Sequence, residues 1–398
     1  MTDHGKGRWP LIIVIYCLSV LSAMVVSEGV PALGGIAAEF HPPSPSAIGW
    51  VMSIPALVVA LGGLLTGWLV DVASDRRILL IGGLIVLAGD AGVIMASSFS
   101  GLLACRVVAG IGYVFMAVAG VSMLTRISQG PQRTAALALW STVIPASFIG
   151  AFVFGALLHA FGWRWVFGVH AGLTALLLAI GLVTLPGRRA DEAVGSRTVG
   201  LGQVLRAPLV YALGISFAAS AFVQTGMIAI LAKLLAMRVG ASEAEVQSFG
   251  ILTMVFNMGG AFGVGILLNR RVPAWVIGSF GAAITVVGVL ALRFAGLTLS
   301  SAIAIDCFLM FGCGLLAGMW ALLPRTAPSP QAFGATSGLI TQITLVGVLF
   351  GPPAAFAALG IGPIGFAVML AILLLGTAVA IPVWLKKPAQ TPTAGAAH

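Results

Sequence analysis

Apolar runs of about 20 residues recur along the whole chain, separated by short charged turns. As a helix, a run of that length rises about 30 Å, the thickness of a bilayer's hydrocarbon core. Backbone groups in hydrocarbon must pair within the protein, which leaves helices or a closed barrel as solutions. The runs are continuous rather than alternating, and this excludes a β-barrel. Charged residues make up 8% of the 398, against about 25% in a soluble domain. The chain is therefore expected to be an all-α polytopic membrane protein.

Twelve transmembrane helices are expected, over residues 9–36, 46–71, 77–97, 100–127, 132–160, 163–185, 208–237, 244–269, 273–295, 298–323, 331–359 and 362–385. The longest polar interval divides six spans from six. The expected organisation is an N-terminal six-helix bundle over 1–186, a cytoplasmic linker over 187–206, a C-terminal six-helix bundle over 207–387 and a disordered tail over 388–398. The formal net charge of +9 does not point to nucleic acid, because the cations sit in the breaks between spans rather than on one face. With the N-terminus inside, fifteen of the 20 Lys and Arg face the cytoplasm, Lys6, Arg8, Arg188, Arg189, Arg197 and Lys387 among them. Both termini are then cytoplasmic, in a bacterial-type inner membrane. Cys17, Cys105, Cys307 and Cys313 lie in apolar runs without paired spacing, and His159 and His170 show no ligand spacing, so neither disulfide nor metal is expected. No cofactor is expected. Without a nucleotide-binding motif, ATP is not expected to drive the chain directly, and no enzyme motif occurs.

The densest charged break is Gly67-Trp68-Leu69-Val70-Asp71-Val72-Ala73-Ser74-Asp75-Arg76-Arg77. Gly67 suits close approach of a second helix, and Asp71 suits pairing with Arg76, Arg77 or an opposing helix end. A shift of 198 residues lays this break on Gly265-x-Leu267-x-Asn269-Arg270-Arg271, so the two halves read as a repeat. Gly67, Leu69, Asp71, Arg76 and Arg77 resemble the loop motif of the major facilitator superfamily, although Val72 and Ser74 depart from it. Arg106-x-x-x-Gly110 resembles an element of that family's fourth helix, whose Arg is associated with proton coupling. The resemblance implies a central cavity lined by the first, fourth, seventh and tenth helices. It also makes Gly67, Asp71, Arg76, Arg77, Asn269 and Arg270 a cytoplasmic gate.

Ionisable side chains inside a span are functional candidates. Glu28, Asp90, Arg106 and Asp306 qualify, and Glu28 or Asp306 is expected to carry a coupled proton. Counting from the outer turn puts Asp90 and Arg106 at similar depth, so a pair between them is expected. Arg293 is a possible partner for Asp306. Tyr16, Tyr113, Gln224, Asn257, Thr341 and Gln342 are expected to line the cavity, the amides because they need more partners than a packed seam offers. Helix-to-helix bonding is the competing reading for the small hydroxyls.

Gly162-Trp163-Arg164-Trp165 resembles a turn in the family's drug exporters, but the Pro of the preceding exporter element is absent. The layout around Pro145 resembles the cyanate permease-like branch. The expected function is proton-coupled secondary transport of a small organic solute by alternating access, by a monomer. An efflux pump for drugs or siderophore-like metabolites is the alternative within the family, and a non-transporting receptor or scaffold is the alternative outside it.

Overall fold

The computed structural model describes residues 8–42, 47–158, 161–187, 201–241, 243–329 and 332–386. Lys6, His159, Arg188, Arg189, Arg197, Lys387 and the expected tail lie outside the described residues. The first half comprises α1 (Trp9–Ser27), α2 (Gly29–Phe40), α3 (Trp50–Ala73), α4 (Asp75–Met95), α5 (Phe99–Ile127), α6 (Gly130–Trp140), α7 (Val143–Leu158) and α8 (Arg164–Thr184). A short α9 (Leu201–Leu205) precedes the second half. That half comprises α10 (Pro208–Val239), α11 (Glu243–Asn269), α12 (Ala274–Phe294), α13 (Leu299–Ala317), α14 (Leu323–Thr326), α15 (Phe333–Ile361), α16 (Pro363–Val379) and α17 (Ile381–Leu385). Eleven helical stretches are long and apolar enough to span a bilayer, and α6 with α7 makes a twelfth bent by 44°. The described residues contain no strand.

Proline explains where spans break. Pro145 has no N–H for the carbonyl one turn back, and the fifth span breaks beside it, between Trp140 and Val143. Pro324 likewise leaves the Trp320 carbonyl without its usual donor. The tenth span tightens there into a 3-10 turn over Gly318–Leu322, and the Leu323 N–H bonds the Trp320 carbonyl instead. The fourth helix of each half starts on a hydroxyl cap. Ser98 accepts from the Gly101 N–H, and Thr298 forms a reciprocal box with Ser301.

Large apolar side chains such as Leu61, Leu84, Leu176, Val183 and Leu375 are exposed around the bundle. An apolar perimeter of this kind matches lipid rather than water. The halves meet chiefly where α3 packs on α15 and where α6 and α7 pack on α11.

Candidate functional site

Four ionisable side chains from different spans converge inside the first half. Glu28 stands at the break between α1 and α2, Asp90 on α4, Arg106 on α5 and His170 on α8, and all four are fully buried. Arg106 Nη1 donates to Glu28 Oε1 at 2.7 Å. Its Nε donates to the Val51 carbonyl at 3.0 Å, and its Nη2 donates to the Val25 carbonyl. The guanidinium also lies 5.4 Å from the centre of the Phe167 ring.

Local sequence explains this reach. Pro55 lacks the N–H that would serve the Val51 carbonyl, and Arg106 supplies a donor in its place. Gly110 stands one turn beyond Arg106, where a Cβ would come within 2.9 Å of Pro55 Cα. The glycine therefore lets α5 lie close enough to α3 for the side chain to span the gap.

His170 Nε2 lies 2.8 Å from the Leu21 carbonyl, which can only accept, so that nitrogen carries a hydrogen. Nδ1 lies 2.7 Å from Glu28 Oε2 and 2.8 Å from Asp90 Oδ2, well aligned with neither. Two carboxylates against one guanidinium leave one uncompensated negative charge. A single additional proton shared among Nδ1 and the two acids closes the balance. Glu28, Asp90 and His170 also bring ligand atoms within 4.8 Å of one another, close enough for a metal ion. A divalent ion would leave the cluster with a surplus positive charge beside Arg106, and a sodium ion prefers oxygen to the imidazole nitrogen. A proton fits the donor set better than either.

The expected pairing of Asp90 with Arg106 is not what forms. Arg106 reaches across to Glu28, which the sequence left without a partner, and Asp90 turns to His170. Similar depth on adjacent helices did not decide the pairing. Glu28, at the boundary of α1 and α2, is the acid that comes within 2.7 Å of the guanidinium. His170 has no motif around it, and its burial beside two acids is the one signal that marks it.

The break between α3 and α4 forms a junction between the halves. Asp71 Oδ1 accepts from the Gly334 N–H at 3.0 Å and Oδ2 from the Ala335 N–H at 2.8 Å. These are free amides in the first turn of α15, where helix polarity favours an anion. Gly67 lies against the same turn: a Cβ on it would be 2.4 Å from the Gly334 oxygen. Gln342, one of the expected cavity residues, accepts from the Leu64 N–H at 3.1 Å along the same seam. Asp75 holds Arg126 by two bonds of 2.6 and 3.0 Å. Arg76 donates to the Leu182 carbonyl at 2.6 Å, while Arg77 is exposed. In the repeat copy, Asn269 Nδ2 donates to the Pro131 carbonyl at 3.2 Å, and Arg270 is exposed.

The remaining expected residues scatter. Tyr16 bonds Thr142 at 2.7 Å beside the break in the fifth span. Tyr113 is buried in the packed interior, and Gln224 and Thr341 are half-buried. Asn257 donates to the Met310 carbonyl at 2.8 Å, and its amide serves the seam between α11 and α13. Asp306 is buried, and neither of its oxygens finds a donor among the described residues. Arg293 instead lies over the rings of Phe294 and Phe366, so its suggested pairing with Asp306 does not form. At the end of the bundle away from Asp71, the Gly162-Trp163-Arg164-Trp165 turn grips Glu39. Arg164 bonds both its oxygens at 2.5 and 2.6 Å, and Trp163 donates at 3.0 Å.

Comparison with known proteins agrees with this architecture. The chain is 31% identical over 188 residues to an uncharacterized MFS-type transporter of Mycobacterium tuberculosis, covering 46% of this chain and 32% of that protein. It is 25% identical over 207 residues to the galactose-proton symporter of Escherichia coli, covering 51% and 44%. Drug efflux pumps occur among the relatives beside sugar-proton symporters. The chain spans less than half the length of these curated relatives. Its fold matches the crystal structure of the human organic anion transporter MFSD10 with a TM-score of 0.74 at 15% identity, over 94% of this chain and all of that one. The family model described as Major Facilitator Superfamily matches residues 12–352. This multi-pass membrane protein belongs to the Major Facilitator Superfamily.

Proposed function

We propose that the chain is a proton-coupled secondary transporter of a small organic solute, and that the Glu28, Arg106, His170 and Asp90 cluster binds the coupled proton. The observation that carries this reading is the charge balance of that fully buried cluster, which needs one more proton than its fixed charges provide. An exchangeable proton between three acceptors is what a coupling site must hold. The named proton symporters among the relatives support coupling of this kind.

In the cycle, residues 1–186 and 207–387 act as two bundles that rock about a site between them. The Asp71 clasp on α15, with Gly67, Gln342 and the weaker Asn269 contact, holds one end shut and must release for that end to open. Loading or removing the proton changes the charge beside Arg106, and so changes how firmly α5 is held to α1, α3 and α8.

The test is flux in proteoliposomes under an imposed pH gradient, across a panel of sugars, organic anions and antibiotics. A solute accumulated by the native protein should lose its dependence on the gradient in Glu28→Gln, with exchange of solute down its own gradient retained. Full gradient-driven accumulation in that variant would refute the assignment of the proton. A native protein moving none of the panel under either gradient would count against transport.

A further inference from the structure

Asp306 lies outside the proton cluster, and its surroundings have a different logic. It stands on α13, 1% exposed, with no hydrogen-bond donor on either oxygen among the described residues. It opens on a small cavity lined by Leu231 and Leu235 of α10, Phe249 and Thr253 of α11, and Leu299 and Ile303 of α13. The cavity has about 10 Å³ of room for water, enough for one molecule and no more.

Its polar rim is sparse. The Thr253 hydroxyl donates to the Gly250 carbonyl at 3.0 Å, which leaves its oxygen as an acceptor. Among the described residues, the other lining side chains are apolar. Charged groups on the packed helices are engaged elsewhere or distant: Arg293 of α12 lies over two phenylalanine rings. Lys233 of α10 is exposed, 6.0 Å from the Phe356 ring centre, and Arg238 of α10 donates to the Ala295 carbonyl. Cys307 and Cys313 share α13 with Asp306 and are buried, Cys313 beside the Thr285 hydroxyl at 3.8 Å.

Among the described residues, a carboxylate here would be a buried charge with neither counter-ion nor donor, the costliest state for such a group. A metal or sodium ion would need several oxygen ligands, and the cavity offers one carboxyl group and one hydroxyl. A proton needs only the carboxyl. Once protonated, the acid can donate to a water, and that water can donate to Thr253 or back to the second carboxyl oxygen.

Position adds a second argument. Arg106 is the seventh residue after the first residue of α5, and Asp306 is the seventh after the first residue of α13. Each lies roughly 10 Å below the cap of the fourth helix of its half. We propose that Asp306, Thr253 and a single water form a second proton-binding site, in the half of the molecule that lacks the charged cluster. The site deepens the reading above by giving the same cycle a second proton, and it holds a proton whether or not the first cluster is the coupling site.

Infrared spectroscopy of the purified full chain in lipid tests it, with the proton as the probe. The native protein should show a protonated-carboxyl C=O band at neutral pH that weakens on titration with alkali. Asp306→Asn should remove that band, while Glu28→Gln and Asp90→Asn should leave it. Thr253→Val should shift its frequency without removing it. If Asp306→Asn fails to fold, Asp306→Glu should keep the band at a displaced frequency. A band unchanged by either substitution at Asp306, or no such band in the native protein, overturns the proposal. Gradient-driven flux in Glu28→Gln is read separately, so the two ideas can fail independently.

Discussion

Arg106 and Asp306 occupy matching places in the two halves, and the halves treat them in opposite ways. Around Arg106, four spans contribute two acids, an imidazole and two backbone carbonyls, so the charge is met on every side. Around Asp306, three helices contribute apolar side chains and one hydroxyl. The repeated backbone fixes where the fourth helix places this residue. It does not fix the chemistry, which depends on what the neighbouring helices bring. The junctions show the same contrast on a smaller scale. Asp71 takes two backbone amides of α15, while the copy Asn269 makes one neutral bond to the start of α6.

The largest expected effect tests whether the first cluster is a closed charge system. Arg106→Met removes the cation and leaves buried carboxylate behind, which should cost about 3–5 kcal/mol of stability. Adding Glu28→Gln should recover part of that loss. A thermal melt in which the double variant is no better than the single would show that Arg106 acts through packing instead. Next comes the clasp. Asp71→Asn keeps the shape but loses hydrogen bonds to a charged acceptor, each worth about 1.5–3 kcal/mol. Turnover in proteoliposomes should fall, by about tenfold for each 1.4 kcal/mol by which opening and closing is disturbed, with little change in substrate affinity. Equal loss in both would mean that Asp71 is not a latch.

Asn269→Ala should cost about 1 kcal/mol or less, because it removes one exposed neutral bond. A loss as large as that of Asp71→Asn would mean that the two junctions are equivalent after all. The smallest effect should come from Asp306→Asn. Exchanging a neutral acid for an amide of the same shape should change stability by under about 1 kcal/mol. A destabilisation rivalling Arg106→Met would place an ionised Asp306, with a counter-charge, in the native protein.

The spans were legible because hydrocarbon demands long apolar helices, and the twelve expected intervals lie within a few residues of the observed ones. Gly67 and Asp71 were legible as residues that suit a close helix approach and a helix end, although the partner helix was not. Asn257 donates to a backbone carbonyl of a neighbouring helix, and in sequence an amide of that kind looks the same as one lining a cavity. His170 was invisible, since a single histidine in an apolar run has no spacing that distinguishes it.

Hydropathy, charge placement and the repeated motif thus determined by themselves that the chain crosses a membrane repeatedly in two similar halves. Each is a local property that hydrocarbon reads off the chain one span at a time. Which acid meets Arg106, where His170 points and why Asp306 stands alone were decided only in three dimensions. Those facts depend on helix rotation, on the Val51 carbonyl that Pro55 leaves to Arg106, and on contacts between spans far apart in sequence.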